Sequence, residues 1–246
     1  MTSNQIRFFV PVPLVSGHRV KLSPKASHKI STVLRLRADD EIFVFDPSGI
    51  EYKATIEKLE KKIVTISLNE KLTNIVESPL QIILIIAVIK AEKMDYSLQK
   101  ATELGVCTIM PFISERTIVK INAERQAKRQ IHWHNILQNA TEQCGRRRVP
   151  DLLPLRPLGE LKLSELKADC LLLDPYTEFS MNECKMQDRP LAIICGPEGG
   201  FSELEIRRLT EQGAMPVKLG PRILRAETAS TCAISLAQYI WGDVTC

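Results

Sequence analysis

The sequence predicts an α/β protein in two parts: a small β-barrel over residues 1–74 and a larger α/β domain built on a parallel sheet over residues 75–246. Three observations predict it. Short β-rich segments around a proline-glycine turn fill the first part. Apolar runs without polar alternation recur through the second, as in parallel strands covered on both faces. Between those runs lie stretches of helical spacing that close on glycine.

Each element has its own justification. "EIFVF" (41–45) and "EYKATIEKL" (51–59) flank the turn Asp46–Gly49, and "KKIVTISL" (61–68) adds another alternating strand. Ahead of them, "HKISTVLRLRADD" (28–40) spaces Ile30, Val33 and Leu34 to bury one side of a short helix, leaving His28, Arg35 and Arg37 around it. Ser78 and Pro79 punctuate the chain, and the grammar then changes. Ile82 to Ile89, Cys170 to Leu173, Leu191 to Cys195 and Pro216 to Leu219 are the continuous apolar runs. "EKMDYSLQKATELG" (92–105) is a helix ending on Gly105, and "AERQAKRQIHWHNILQNATEQCG" (123–145) repeats Trp133, Leu137, Ala140 and Cys144 at helical intervals before Gly145. The final "AETASTCAISLAQYIW" (226–241) is rich in small residues, which lets a helix pack closely on its neighbours.

Composition excludes several classes. The longest apolar run falls far short of the ~20 residues that span a bilayer, and the N-terminus lacks a basic-then-apolar leader, so a soluble cytoplasmic protein with no membrane partner is expected. Seven cysteines (107, 144, 170, 184, 195, 232, 246) show no C-x-x-C spacing, so they read as reduced, mostly buried residues and not as a disulfide or zinc framework. His132 and His134 stand two apart on a helix and face different sides, which leaves them solvated or on an interface and not chelating one metal. A net charge of +4 is mild, so the distribution of charge matters more than its sum. Basic residues gather at Arg146, Arg147 and Arg148, where a helix exit beside a proline lets phosphates approach, and at Arg125, Lys128 and Arg129, which read as a solvated face.

"LAIICGPEGGFSELEIRRL" (191–209) is strand, glycine turn, helix, with Ser202 as N-cap and Glu205 completing a capping box. That layout aims backbone N–H groups beyond the carboxyl end of the strand. It matches neither G-x-G-x-x-G nor G-x-x-x-x-G-K-[ST], so a phosphate cradle loses its support, and a tight turn without a ligand is an equal reading of the glycines alone. A second loop shifts the balance. "VKLGPRILRAETAS" (217–230) again follows an apolar strand, carries Gly-Pro and precedes a helix, with Arg222, Arg225 and Glu227 close together. Two such loops at the ends of two strands can form one cleft.

These two loops resemble the signature loops of the SPOUT class of RNA methyltransferases, specifically the RsmE family, which methylates N3 of a uridine in small-subunit ribosomal RNA. Three further segments resemble the same family: "KAEKMDYSLQKATELGV" (90–106), "PFISERTIVK" (111–120) and "EQCGRRRVP" (142–150). "HKISTVLRLRADDEIFVFD" (28–46) is similar to its PUA-like barrel, so the likeness runs through nearly the whole chain. The resemblance implies a carboxyl-terminal domain tied in a deep trefoil knot, a homodimer, and S-adenosylmethionine as cofactor with no metal. It places that cofactor against Leu173, Asp174, Pro175, Gly196, Pro197, Glu198, Gly199, Leu219, Gly220, Ile223, Leu224 and Thr228.

Methylating uracil N3 requires a proton to leave and the charge on O2 and O4 to be stabilised, which suits arginine, so Arg225 and Arg222 are the expected catalytic residues. Simple ion pairing of either with Glu227 or with a dimer partner is the alternative. Glu198 either orients the cofactor or accepts the proton, and it also suits a loop-fixing role near a helix start. Arg7, Arg35, Arg37, Arg146, Arg147 and Arg148 are the expected RNA contacts, to 16S rRNA free or in an assembled subunit. Two other readings keep the fold: a methyltransferase of another RNA such as transfer RNA, and a non-catalytic RNA-binding or assembly protein.

Overall fold

The computed structural model describes residues 6–60, 63–73, 76–117, 123–187 and 189–245. Cys246 and the end of the 111–120 motif, Ile118 to Lys120, lie outside these. The chain divides into two compact units, Met1–Glu77 with Thr141–Val149, and Ser78–Ala140 with Pro150–Cys246. The first unit thus takes in a nine-residue stretch that the sequence alone assigns to the second.

The first unit holds β1 (Arg7–Phe9), β2 (Arg19–Lys21), α1 (Pro24–His28), a π-helical turn (Lys29–Val33), β3 (Glu41–Phe45), β4 (Glu51–Glu60) and β5 (Ile63–Leu72). The sheet runs β1-β3-β4-β5-β2, parallel between β1 and β3 and antiparallel elsewhere, with irregularities along β4 that bend it. Alternate residues of β3, β4 and β5, among them Ile42, Val44, Ala54, Ile56, Val64 and Ile66, form its core together with Phe8 and Ile30. Asp46 fixes the 46–49 turn: its Oδ1 accepts from the amides of Ser48 and Ile50, while Oδ2 accepts from Leu14 N–H at 2.9 Å. Val33 departs from expectation, being 65% exposed beside the buried Ile30. The bond from Leu34 N–H to Lys29 O is π-type and wider than an α-turn, which rotates Val33 outward.

Thr141–Val149 belongs to the first unit for an electrostatic reason. Glu51, 1% exposed, accepts from Arg7 Nε at 2.9 Å and from Arg147 Nε at 2.8 Å. Arg146 Nη2 donates to Glu77 at 2.7 Å, and the Arg147 amide donates to the other oxygen of the same carboxylate. A carboxylate taken out of water needs such partners.

The second unit holds β6 (Ile82–Ala87), α2 (Ala91–Glu103), β7 (Val106–Ile113), α3 (Ala123–Cys144, its end from Thr141 counted with the first unit), β8 (Asp151–Leu152), β9 (Arg156–Pro157), β10 (Asp169–Leu173), β11 (Leu191–Cys195), α4 (Glu203–Glu211), β12 (Met215–Val217) and α5 (Ala226–Trp241). Its sheet is parallel in order β12-β10-β11-β6-β7-β8, with β9 also on β7. The four apolar runs became β6, β10, β11 and β12; β11, in the middle, is buried at every residue. Gly105 closes α2 at φ +87°, and the side-chain amide of buried Gln238 donates to Leu104 O at 2.8 Å, supplying a partner to that helix end. Of the six described cysteines, 170, 184 and 195 are buried, 107 and 232 half-buried, and 144 exposed. No helix among the described residues is long and apolar enough to cross a membrane.

Candidate functional site

The carboxyl ends of β12, β10 and β11 are neighbours in the sheet, and the loops that leave them surround one cavity of about 420 Å³. Its size lies within the range of small-molecule sites, roughly 300 to 1,000 Å³. From β10 come Leu173, Asp174 and Pro175; from β11, Gly196, Pro197, Glu198 and Gly199; from β12, Leu219, Gly220, Ile223 and Leu224. Thr228 is the one expected cofactor contact not on the wall. Ala226 and Ala229 of α5 face the cavity, and a residue two positions from Ala226 on a helix turns away from its face.

Local chemistry shapes each loop. Ser202 caps α4, accepting from Glu205 N–H, and the Glu205 carboxylate accepts both Ser202 N–H at 2.9 Å and Glu115 N–H at 2.9 Å. The capping box therefore also ties the loop after β7. Gly196 is needed for packing: a Cβ there would sit 2.8 Å from the Phe201 ring, which stacks on Phe112 with centroids 6.1 Å apart. Arg116 reaches across to donate to Gly199 O at 3.2 Å. Asp174 Oδ1 accepts Tyr176 N–H and turns the chain at the rim.

The charged groups sort into two sets. Arg222 and Arg225 line the cavity, are exposed, and carry no ion pair among the described residues. Pairing with Glu227 is not realised, because Glu227 takes Lys93 at 3.4 Å. Glu198 accepts Lys90 N–H at 3.3 Å and lies 4.0 Å from Lys93 Nζ. Behind them the Cys195 thiol, fully buried at the end of β11, is pushed well above its ordinary pKa by desolvation, so it stays protonated and is no nucleophile.

The walls suit an adenosyl sulfonium. Leu173, Val217, Leu219 and Leu224 offer apolar surface for a purine, backbone groups of the glycine loops offer its hydrogen bonds, and Asp174 and Glu198 offer carboxylates for a cation.

Comparison with known proteins agrees with this layout. The RNA methyltransferase domain family matches residues 76–238, and the RNA methyltransferase PUA domain family matches residues 30–69. A ribosomal RNA small subunit methyltransferase E of Buchnera aphidicola subsp. Schizaphis graminum is 34% identical over 241 residues, 98% of this chain and 96% of that protein. The chain belongs to the ribosomal RNA small subunit methyltransferase E family. A family member from Bacillus subtilis is 31% identical over 86% of both chains. The methyltransferase E of Neisseria gonorrhoeae, solved bound to S-adenosyl methionine, superposes with a TM-score of 0.90 at 36% identity, covering 98% of this chain and 100% of its own. A chain from Legionella pneumophila, solved with SAM bound, gives a TM-score of 0.90 at 38% identity over 98% and 99%.

Beyond the residues that the family resemblance marks, the structure adds Lys93, Arg116, Tyr176 and Phe201 to the cavity wall. Lys93 and Arg116 sit inside segments that carry the resemblance, but no local pattern separates them from their neighbours. His132 lies away from the cavity, with Nε2 2.9 Å from Asp95. In the first unit, Arg35 and Arg37 are exposed, and Arg148 is exposed with a bond to Ser48 O. Arg146 and Arg147, which the sequence places within reach of phosphate, are instead 5% and 7% exposed and held by Glu77 and Glu51. Arg7 is likewise engaged, by Glu51 and by the Phe43 ring. The buried carboxylate claims guanidinium groups that sequence alone leaves free for RNA.

Proposed function

We propose that this chain transfers a methyl group from S-adenosylmethionine to N3 of a specific uridine in 16S rRNA of the small ribosomal subunit. One observation carries the reading: both Gly-Pro loops line a single cavity at the carboxyl ends of the parallel strands β12, β10 and β11, together with two arginines that carry no ion pair among the described residues. The family relation sets the substrate class. Within this reading, residues 75–246 form a SPOUT domain with a deep trefoil knot, residues 1–74 a PUA-like RNA grip, and the enzyme works as a cytoplasmic homodimer without a metal.

The bound cofactor supplies an electrophilic methyl carbon. The chain must hold the uracil, splayed out of any stack, and stabilise the charge that its oxygens gain as the N3 proton leaves. Arg225 and Arg222, which line the cavity and carry no ion pair among the described residues, are the donors for that charge. Glu198 acts on the cofactor side as an acceptor, since an amide and an ammonium already engage its carboxylate. Arg35, Arg37 and Arg148 serve as phosphate contacts that position the RNA without reading it.

The test is methyl transfer and cofactor affinity for Arg225→Ala and Glu198→Gln. Losing one preorganised donor costs roughly 10²- to 10³-fold in kcat, so Arg225→Ala is expected to lose that much with cofactor affinity near wild type. Glu198→Gln is expected to weaken cofactor binding. Unchanged turnover in Arg225→Ala removes that arginine from the mechanism.

A further inference from the structure

Lys93 stands at the third position of α2, in the first helical turn, where a cation opposes the helix dipole. A residue that breaks a local rule needs a compensating partner. Here there are two, and they come from different segments of the chain. Glu227 lies at the start of α5, just past the second Gly-Pro loop, with Oε1 3.4 Å from Lys93 Nζ. Glu198 lies in the first loop, with Oε1 4.0 Å from the same nitrogen and also bonded to the Lys90 amide. The second oxygen of Glu227 is buried and has no hydrogen-bond partner among the described residues, so this carboxylate depends on Lys93 for its compensation. Lys93 itself lines the cavity.

We infer that Lys93 is the positioning residue of the cofactor site, an ammonium that clasps the two glycine loops through Glu198 and Glu227 and so sets the width of the cavity. Without it, Glu198 on the cavity wall and Glu227 at the start of α5 would have no ammonium between them, and like charges separate. The three groups together carry one net negative charge, which suits a sulfonium ligand. This inference rests on the cofactor reading above.

The test uses full-length protein and two probes, S-adenosylmethionine and its uncharged thioether product S-adenosylhomocysteine, measured by calorimetry. A positioning role predicts that Lys93→Met weakens both by roughly tenfold or more, as geometric misplacement does. KM for the cofactor rises more than kcat falls, and Lys93→Arg restores most of the loss. Adding Glu227→Gln to Lys93→Met recovers part of the affinity, because the buried charge is gone. Thermal melts of each variant confirm a folded protein before binding is scored. Lys93→Met that binds both probes like wild type overturns the inference, as does one that tightens the sulfonium alone, which is the mark of simple charge attraction. Wild-type protein that binds neither probe overturns the cofactor reading itself, and the lysine assignment with it.

Discussion

Arg147→Met separates structure from RNA binding in the 146–148 cluster. Arg147 is 7% exposed and its partner Glu51 is 1% exposed, so the substitution leaves a carboxylate that is out of water with Arg7 as its remaining cation. Removing one partner of such a pair costs about 3 to 5 kcal/mol. Since Arg7 persists, the lower end applies, about 3 kcal/mol. For a urea dependence of ~1 to 3 kcal/mol per molar, the midpoint falls by roughly 1 to 3 M. Arg148→Met, at an exposed position, is expected to leave the unfolding free energy within ~0.5 kcal/mol of wild type and to lower the salt slope of RNA binding by about one. The assay is urea unfolding followed by fluorescence, paired with RNA titrations from low to moderate salt. An unchanged midpoint in Arg147→Met, together with a weakened salt slope, refutes the structural assignment and returns the residue to the RNA face.

Gly196→Ala puts a Cβ 2.8 Å from Phe201 Cε2, and the ring, stacked on Phe112, has little room to yield; overpacking of this kind costs roughly 1 to 3 kcal/mol. Denaturation shows this directly, and adding Phe201→Leu should recover most of it; a neutral Gly196→Ala contradicts the packing role. Burial pushes the Cys170 thiol up to about 11 from its usual 9.0, and drives Cys195 further in the same direction. The folded state keeps these protons after the unfolded chain has lost them. Their contribution to stability is therefore intact below pH 9.0 and drains as pH climbs toward about 11. Urea midpoints at pH 8 and pH 10.5 check the sign, and rapid native-state labelling of either thiol at pH 8 would contradict it.

Much of the second unit was legible because its signals are local. The apolar runs at β6, β10, β11 and β12 need only neighbours in sequence to be recognised, and Ser202 with Glu205 marks the start of α4 within four residues. β7 escaped, since Val106–Ile113 mixes buried with half-buried positions and includes Pro111, a residue that cannot donate to the ladder. The long-range charges escaped for a different reason. Arg147 meets Glu51 across 96 positions, and the Lys90 backbone amide meets the Glu198 carboxylate across 108, so nothing in a local window distinguishes these charged side chains from a solvated run. Val33 shows a third limit. An apolar residue at α-helical spacing is assumed to face inward, and one π-type bond is enough to turn it out.

The strand-loop-helix arrangement explains why such a site prefers a cation over the phosphate that the same layout holds in other folds. A helix start attracts anions because its first amides lack partners. At α4 that vacancy is filled from within: Ser202 Oγ accepts the Glu205 amide, and Glu203 and Glu205 place carboxylates in the first turn. The positive end of the helix is thus already answered, and any further anion would meet those acids. Around Lys93, the carboxylates of Glu198 and Glu227 exceed the ammonium by one charge. Glycine supplies the close backbone approach, as it does in phosphate loops, but the acids around it reverse the sign of the preferred ligand. Arg222 and Arg225 line the same cavity, and the proposed reaction needs such positive charge for a base that loses a proton; these residues come together from segments that no single motif contains.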